Sequence, residues 1–263
     1  MPSGDAGTVR PGHAGIARPS HAFVAADPVL AAGIGLRRGR GWAVRSASFR
    51  VRAPVPGKSA LGMLVDTPAT ATAIIDLLAG VARPAYGELR VLGHDMCTIR
   101  GRSSVRRRIG VARRGAIPLP APRIRGLVEH AARLARPDRQ DRQALAAAIL
   151  DRLGLLPWAE VPVRSAPDSV ARLARLAAAA VHQPELLLVD GLMDMLPARD
   201  VAALADAIHD LSRDSGMLVV GCDSAGLAVA CDDILVLTDG VLSVPPGPPA
   251  LSWAELDSPD WLG

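Results

Sequence analysis

The triplet Gly57-Lys58-Ser59 is the segment of this sequence whose residue types could most directly bind phosphate. In a phosphate-binding loop, G-x-x-x-x-G-K-[ST], glycines let successive backbone N–H groups point at the phosphates, and the lysine and hydroxyl contact them. Here the first glycine of that pattern falls on Arg52. The triplet also precedes the apolar run Leu61–Val65, whereas a phosphate loop follows a strand. Pro56-Gly57 therefore predicts a turn between two strands.

Thiols and imidazoles offer little further chemistry. Cys97, Cys222 and Cys231 are far apart and form no C-x-x-C pair, which argues against a disulfide scaffold or a structural zinc site and favours a reducing compartment. Cys222 could be a reactive thiol, but a small apolar filler at the end of a buried strand is the favoured interpretation. The histidines His94, His130, His182 and His209 are too scattered to propose a metal site.

The elements that must position any site alternate between strand and helix. The predicted strands are Leu61–Val65, Glu88–Leu92, Arg108–Ala112, Leu186–Asp190, Met217–Val220 and Ile234–Leu237. Helical periodicity dominates residues 123–181 and recurs at 74–78 and 200–211. This alternation predicts an α/β fold with a mainly parallel sheet flanked by helices, and the helical block predicts a subdomain at approximately 116–182 inserted in it.

The two ends of the chain differ from this pattern. Residues 1–28 are rich in Gly, Pro, Ser and Ala without periodicity, which predicts a disordered tail. Residues 244–263 form a Pro-rich extension in which Trp253 and Trp261 could dock on a partner or fold back on their own domain. The folded domain is therefore expected over residues 29–243.

Composition bounds the function classes. Of 263 residues, 49% are apolar and 21% charged, which is typical of a globular protein with a sizeable core. No apolar stretch approaches the ~20 residues that cross a bilayer. The net charge is +4, but only one of the thirty basic residues is lysine, which indicates a codon bias toward Arg. Aromatics are 3% and do not interleave with the arginines of residues 100–114, so a solvated basic face is favoured over a nucleic-acid or lipid surface.

Several framework segments occur in an order that resembles the ATP-binding subunits of ABC transporters. They are Leu77-Leu78-Ala79-Gly80 followed by Gly87–Gly93, the strand Arg106–Val111, the strand Pro184–Asp190, and the closing strand Cys231–Leu237 with Asp239-Gly240. The resemblance covers roughly Leu30 to Leu242. It implies a P-loop NTPase-like (ABC ATPase) fold, with ATP and Mg²⁺ as the family's cofactors.

The resemblance places the family's Walker A loop, G-x-x-G-x-G-K-[ST]-[ST], on residues 65–73. These positions hold Val65, Asp66, Thr67, Pro68, Ala69, Thr70, Ala71, Thr72 and Ala73. The three glycine positions are thus Val65, Pro68 and Thr70, and the lysine position is Ala71. Pro68 has no N–H to donate. Thr72 keeps the hydroxyl that would meet Mg²⁺, whereas Asp66 puts a repelling carboxylate where phosphate would lie.

The other nucleotide-contacting positions are also altered. Asp190 keeps the Walker B carboxylate and, with Thr72, could bind Mg²⁺ or simply be a leftover at a strand end. Gly191 stands at the general-base Glu position, Arg114 at the Q-loop Gln and Cys222 at the H-loop His. The signature segment falls near Ala166–Val170 without its glycine pair, the D-loop Leu-Asp becomes Leu196-Pro197, and the adenine-stacking aromatic falls near Gly39.

The resemblance therefore implies a transporter ATP-binding-type subunit whose own site is degenerate. It would be a non-hydrolysing or regulatory partner of a membrane permease, of a second ATPase subunit in a homo- or heterodimer, or of both. It is expected in the cytoplasm, at the inner face of the membrane. A pseudo-ATPase scaffold unrelated to transport is the alternative, because a chain altered in both Walker A and signature would spoil both sites of a head-to-tail dimer. A functional ATPase with atypical motifs is a second alternative.

Overall fold

The computed structural model describes residues 27–51, 60–115, 123–133 and 138–243. The predicted turn at Gly57-Lys58-Ser59, residues 1–26 of the predicted tail, and the extension that carries Trp253 and Trp261 lie outside the described residues. Pro28, which the sequence places at the end of the tail, is buried, and its carbonyl accepts a 2.8 Å hydrogen bond from the Leu92 N–H. Pro28 therefore packs with the fold.

The described residues form ten strands and seven α-helices. The strands are β1 (Val29–Arg38), β2 (Gly41–Val51), β3 (Ala60–Val65), β4 (Tyr86–Val91), β5 (His94–Asp95), β6 (Ile109–Arg113), β7 (Leu186–Asp190), β8 (Gly216–Gly221), β9 (Cys231–Thr238) and β10 (Val241–Ser243). The helices are α1 (Pro68–Leu78), α2 (Ile99–Val105), α3 (Ile124–Ala132), α4 (Arg139–Arg152), α5 (Asp168–Ala180), α6 (Ala198–Leu211) and α7 (Ser224–Ala230).

The strands make one mixed sheet in the order β5-β4-β1-β2-β10-β9-β3-β8-β7-β6. Its β9-β3-β8-β7-β6 part is parallel throughout, and β5, β4, β1 and β2 form an antiparallel arm. β10 joins the two, because it pairs in parallel with β2 and antiparallel with β9. The mixed, helix-flanked α/β fold that the sequence predicts is confirmed.

The central parallel strands are buried on both faces. In β7, Leu187 and Val189 face a core formed mainly by α3 to α6, whereas Leu186 and Leu188 face a core shared with α1 and the antiparallel arm. All four side chains are fully buried. Because successive side chains of a strand point to opposite faces, an apolar run without alternation is what two covered faces require.

The predicted helical stretch 123–181 is interrupted more than the sequence suggested. Helices α3, α4 and α5 lie within it, but residues 153–167 hold two 3₁₀ turns, Leu156–Trp158 and Val163–Ser165. Gly154, which closes α4, has a φ of +66°. Pro157, Pro162 and Pro167 recur through this segment, and each lacks the N–H that a continuing α-helix needs.

The amino-terminal edge of the parallel strands is fastened by polar contacts. Arg108 Nε and Nη2 donate to the two carboxylate oxygens of Glu185 at 2.6 and 2.8 Å, in the bidentate geometry that arginine favours. Beside this pair, His182 Nε2 lies 3.1 Å from the carbonyl oxygen of Ile109 at the start of β6. The other ring nitrogen, Nδ1, is buried without a hydrogen-bond partner among the described residues.

The burial of His182 predicts a pH dependence of stability. Desolvation lowers the pKa of the imidazole, while its bond to Ile109 opposes that shift. As pH falls through the unfolded value near ~6.5, the unfolded chain binds a proton that the folded chain does not, so the free energy of unfolding must fall. Denaturant titrations between pH 7.5 and 5.5 should show this loss, and His182→Gln should reduce it. His130→Gln, at an exposed position, should keep the wild-type slope; an unchanged slope in H182Q would contradict the assignment.

Candidate functional site

The β3–α1 corner is where the sequence places the phosphate-binding loop. Thr67 is the N-cap of α1: its backbone is extended, and its Oγ1 accepts a 3.2 Å hydrogen bond from the Thr70 N–H. The Thr67 carbonyl oxygen accepts from the N–H groups of Thr70 and Ala71 at 3.0 and 3.1 Å. Thr-Pro is a strong helix start, because threonine caps the first turn and proline fits position N1.

The corner is consequently short. Val65 ends β3, Asp66 and Thr67 form the connection, and residues 68–73 already belong to α1. A phosphate cradle needs backbone N–H groups directed outward at a ligand. Here the N–H groups of Thr70 and Ala71 are directed at Thr67 instead, and Pro68 has none.

Thr72 and Asp190 meet across 118 residues of sequence. The Thr72 hydroxyl donates to Asp190 Oδ2 at 3.0 Å, so the structure brings together the two residues that the sequence offered for Mg²⁺. Asp190 is the last residue of β7 and is 3% exposed. Burial raises the pKa of its carboxyl group, against the lowering effects of the Thr72 hydroxyl, Arg114 and Arg113. Asp190 Oδ1 is buried without a hydrogen-bond partner among the described residues.

A second polar cluster lies beside this pair and centres on Asp194, which the sequence analysis missed. Arg114 Nη1, just after β6, is 2.9 Å from Asp194 Oδ2, and the Asp194 side chain is only 6% exposed. Asp194 Oδ1 accepts from the backbone N–H groups of Cys222 and Asp223 at 3.0 and 3.3 Å. An acidic residue four positions beyond the end of a buried strand was the available signal, because the carboxyl ends of parallel strands share one edge.

Gly191 lies directly under the Arg114 side chain. Its φ is +58°, a left-handed conformation that L-residues with side chains rarely adopt. A Cβ atom there would lie 2.8 Å from Cζ, Nε and Nη2 of Arg114. Its N–H donates to the Val220 carbonyl at 2.7 Å, which ties the end of β7 to β8. Thus, at the position predicted to lack a general base, a side chain could be accommodated only if the Arg114 guanidinium moved, and it would also be strained by the left-handed φ.

Cys222 follows β8 and contributes its backbone N–H to Asp194. Its side chain is half-buried, and desolvation together with the Asp194 charge raises the pKa of the thiol, although the nearby Arg114 acts in the opposite direction. A thiol with a raised pKa is a poor nucleophile near neutral pH. Among the described residues, no group of three or more His, Cys, Asp and Glu side chains could hold a metal ion.

Two arginines of helix α5 donate hydrogen bonds to backbone carbonyl groups at the cluster. Arg172 Nη1 donates to the carbonyl oxygens of Leu192 and Asp194 at 2.8 and 2.7 Å, and Arg175 Nη1 donates to the Arg114 carbonyl at 2.6 Å. The predicted signature segment, Ala166–Val170, forms the start of this helix, with Asp168 accepting from Arg172 Nη2 at 2.6 Å. These arginines carry contacts that sequence spacing alone did not indicate.

The basic run of residues 100–114 separates into two groups. Arg108 pairs with Glu185, Arg113 with Asp76 at 2.6 Å, and Arg114 with Asp194, so these three serve internal ion pairs. The other four make no ion pair among the described residues: Arg100, Arg106 and Arg107 are exposed, and Arg102 Nη1 donates to the Met96 and Cys97 carbonyls at 3.0 and 3.1 Å. The resemblance places an adenine-stacking aromatic near Gly39. Close to that position, Trp42 packs edge-on against Tyr86, with ring centroids 5.3 Å apart.

The raised pKa of Asp190 yields a prediction with a definite sign. At pH values between the unfolded pKa of Asp190 and its higher folded pKa, the folded chain binds more protons than the unfolded chain. The contribution of Asp190 to the free energy of unfolding therefore falls as the pH rises. Asp190→Asn removes that cost while its amide oxygen still accepts from Thr72. Chemical denaturation should find D190N at least as stable as wild type at pH 7, with the difference shrinking toward pH 4. A D190N variant clearly less stable at pH 7 would contradict this account.

Comparison with known proteins bears on this geometry. No protein-family model matches the chain. The methionine import ATP-binding protein MetN 2 of Burkholderia mallei is 26% identical over 183 residues, which cover 68% of this chain and 46% of that protein. The putative ABC transporter ATP-binding protein MK0182 of Methanopyrus kandleri is 28% identical over 177 residues, or 64% of this chain and 63% of that protein. The chain thus spans about half the length of the Burkholderia relative.

Solved structures agree on the fold. The cbiO1 protein of Clostridium perfringens, part of the ABC transporter complex cbiONQ, superposes with a TM-score of 0.72 at 13% identity, over 83% of this chain and 87% of that chain. None of the helices in the described residues is long and apolar enough to cross a membrane. The chain is therefore similar in sequence to ATP-binding proteins of ABC transporters, and its fold is that of an ABC transporter ATP-binding cassette.

Proposed function

We propose that this chain is a non-hydrolysing or regulatory ATP-binding-type subunit that associates with a membrane permease and a second ATPase subunit. The observation that carries the proposal is the β3–α1 corner, where the N–H groups of Thr70 and Ala71 are already bonded to Thr67. A triphosphate bound at this corner would need these same N–H donors, which the first turn of α1 already uses. It would also meet the Asp66 carboxylate, which is exposed there.

The loss of donors is large enough to matter. Ala71 replaces a lysine, and Pro68 removes an N–H, so several charge-assisted or backbone hydrogen bonds to phosphate are missing together. Hydrogen bonds to charged groups contribute about 1.5–3 kcal/mol each, which is roughly 10- to 150-fold in affinity. Three such losses would move a micromolar site into or beyond the millimolar range, at about 1,000-fold or more.

Hydrolysis would lack its base as well. A positioned general base contributes ~10²–10⁴-fold to a reaction rate. Gly191 supplies no carboxylate, and the Cys222 thiol has a raised pKa, so neither position offers a group that would activate water. Mg²⁺, if a nucleotide brought it, would find the Thr72 hydroxyl and the Asp190 carboxylate, which here bond to each other.

Partnership with a permease is supported by the relatives. The Burkholderia protein is named as an import ATP-binding protein, and the clostridial cassette is part of a transporter complex. The closed polar cluster around Asp194 equally suits a scaffold that binds proteins without transport, so the partners decide between these two roles.

Nucleotide binding is the first test. We expect titration with a fluorescent ATP analogue and Mg²⁺ to show no saturable binding below about 1 mM, because the donors at the corner are missing or occupied. Pro68→Gly, Thr70→Gly and Ala71→Lys together should tighten binding at least ~10-fold in a variant that circular dichroism shows to be folded, since Ala71 is fully buried and the two glycines must let the first turn of α1 open for the lysine. The control carries the same two glycines but places the lysine at Ala69, an exposed neighbour, and should not gain. Micromolar binding by the wild type would overturn the proposal.

The partners are the second test. Affinity purification of the tagged full chain from its native cell, after mild detergent extraction, should recover a polytopic membrane protein and a second cassette with an intact Walker A lysine. If only soluble proteins without transporter segments co-purify, the scaffold role replaces the transport role.

A further inference from the structure

The Arg114 cluster, defined as Arg114, Gly191, Asp194, Cys222 and Asp223, joins three chain segments that are distant in sequence. Arg114 follows β6, Gly191 and Asp194 follow β7, and Cys222 and Asp223 follow β8. All five lie at the carboxyl-terminal edge of the parallel strands. Their contacts therefore connect the three neighbouring strand ends with one another.

The charges of the cluster are balanced from within. Asp194 is buried. Its Oδ2 lies 2.9 Å from Arg114 Nη1 as an ion pair but has no hydrogen-bond partner among the described residues, and its Oδ1 accepts from two backbone N–H groups at 3.0 and 3.3 Å. A buried carboxylate is tolerated only with such compensation, and removing one partner of a buried ion pair is strongly destabilising. The Arg114 main chain is held in turn by Arg175 of α5.

The same guanidinium also fills space. It lies where a side chain at position 191 would begin, since a Cβ there would be 2.8 Å from three of its atoms. One of those atoms, Nη2, is buried and has no hydrogen-bond partner among the described residues. Arg114 thus packs over Gly191 with the Cζ, Nε and Nη2 atoms of its guanidinium group, while its Nη1 pairs with Asp194.

We propose that the Arg114 side chain is a built-in occupant of this site: it neutralises Asp194 and fills the volume over Gly191, so the strand ends are assembled without a ligand. This inference rests on the proposed function, in which the site takes no nucleotide. It makes Arg114 a positioning residue.

Amide hydrogen exchange of the full chain tests the positioning role of Arg114 at the two backbone N–H groups that donate to Asp194. In Arg114→Met, Asp194 loses its counter-charge, and the N–H groups of Cys222 and Asp223 should exchange roughly 100-fold faster than in wild type. Arg114→Lys keeps a positive charge for Asp194 and should restore most of the protection. The control is Arg113→Met, which removes the adjacent guanidinium but breaks a pair with Asp76 of α1, and should leave these two amides unchanged.

A double-mutant cycle tests the volume argument. Gly191→Ala in wild type should lower the melting temperature through both its left-handed φ and its contact with Arg114. In the Arg114→Met background the flexible methionine can move aside, so only the backbone cost should remain and the drop should be smaller by several degrees. An equal drop in both backgrounds would show that Arg114 does not occupy this volume.

The outcomes separate this inference from the proposed function. If Arg114→Met leaves exchange at residues 222 and 223 unchanged, the proposal that Arg114 is a built-in occupant is wrong, whatever the chain does with ATP. If millimolar MgATP slows exchange there in wild type, the nucleotide-free site is wrong, and with it the proposed function. Unchanged wild-type exchange with MgATP, together with the loss in Arg114→Met and rescue in Arg114→Lys, supports both.

Discussion

A sheet whose parallel strands are buried on both faces can carry polar side chains only where the strands end, and the rest of this molecule follows from that constraint. β7 and β8 present apolar side chains alternately to two cores, so no polar residue within them could be hydrated. Asp190 stands at the last position of β7, and Asp194 and Cys222 lie just beyond the strand ends. The chemistry of the chain is therefore concentrated on one edge of the sheet.

At that edge, polar groups of the chain contact one another in place of a ligand. The first turn of α1 is capped by Thr67, the Thr72 hydroxyl is bonded to Asp190, and Asp194 is neutralised by Arg114. These contacts do not satisfy every group, because Arg114 Nη2, Asp190 Oδ1 and Asp194 Oδ2 are buried without a hydrogen-bond partner among the described residues. The framework elements keep the family pattern because burial in the two cores maintains them independently of the site.

The strands could be predicted from the sequence because their apolar runs indicate burial directly. Thr72 and Asp190 were identified through the resemblance. Sequence reasoning could not find the Arg114–Asp194 pair, because these residues are 80 positions apart and their meeting depends on β6 and β7 being neighbours in the sheet. It also assigned residues 68–73 to a loop. The structure has helix there, since the Thr-Pro capping signal acts locally and begins α1 at Pro68.

By itself the sequence determined the alternation of strands and helices, the absence of a lysine at position 71 and the lack of a carboxylate at position 191, because residue type and local periodicity are properties of the chain alone. Only the tertiary structure decided that Arg114 lies over Gly191 and that Asp194 is buried. The physical reason is that ion pairing, desolvation and steric exclusion depend on distances of a few ångströms, which are set by how the strands are ordered in the sheet.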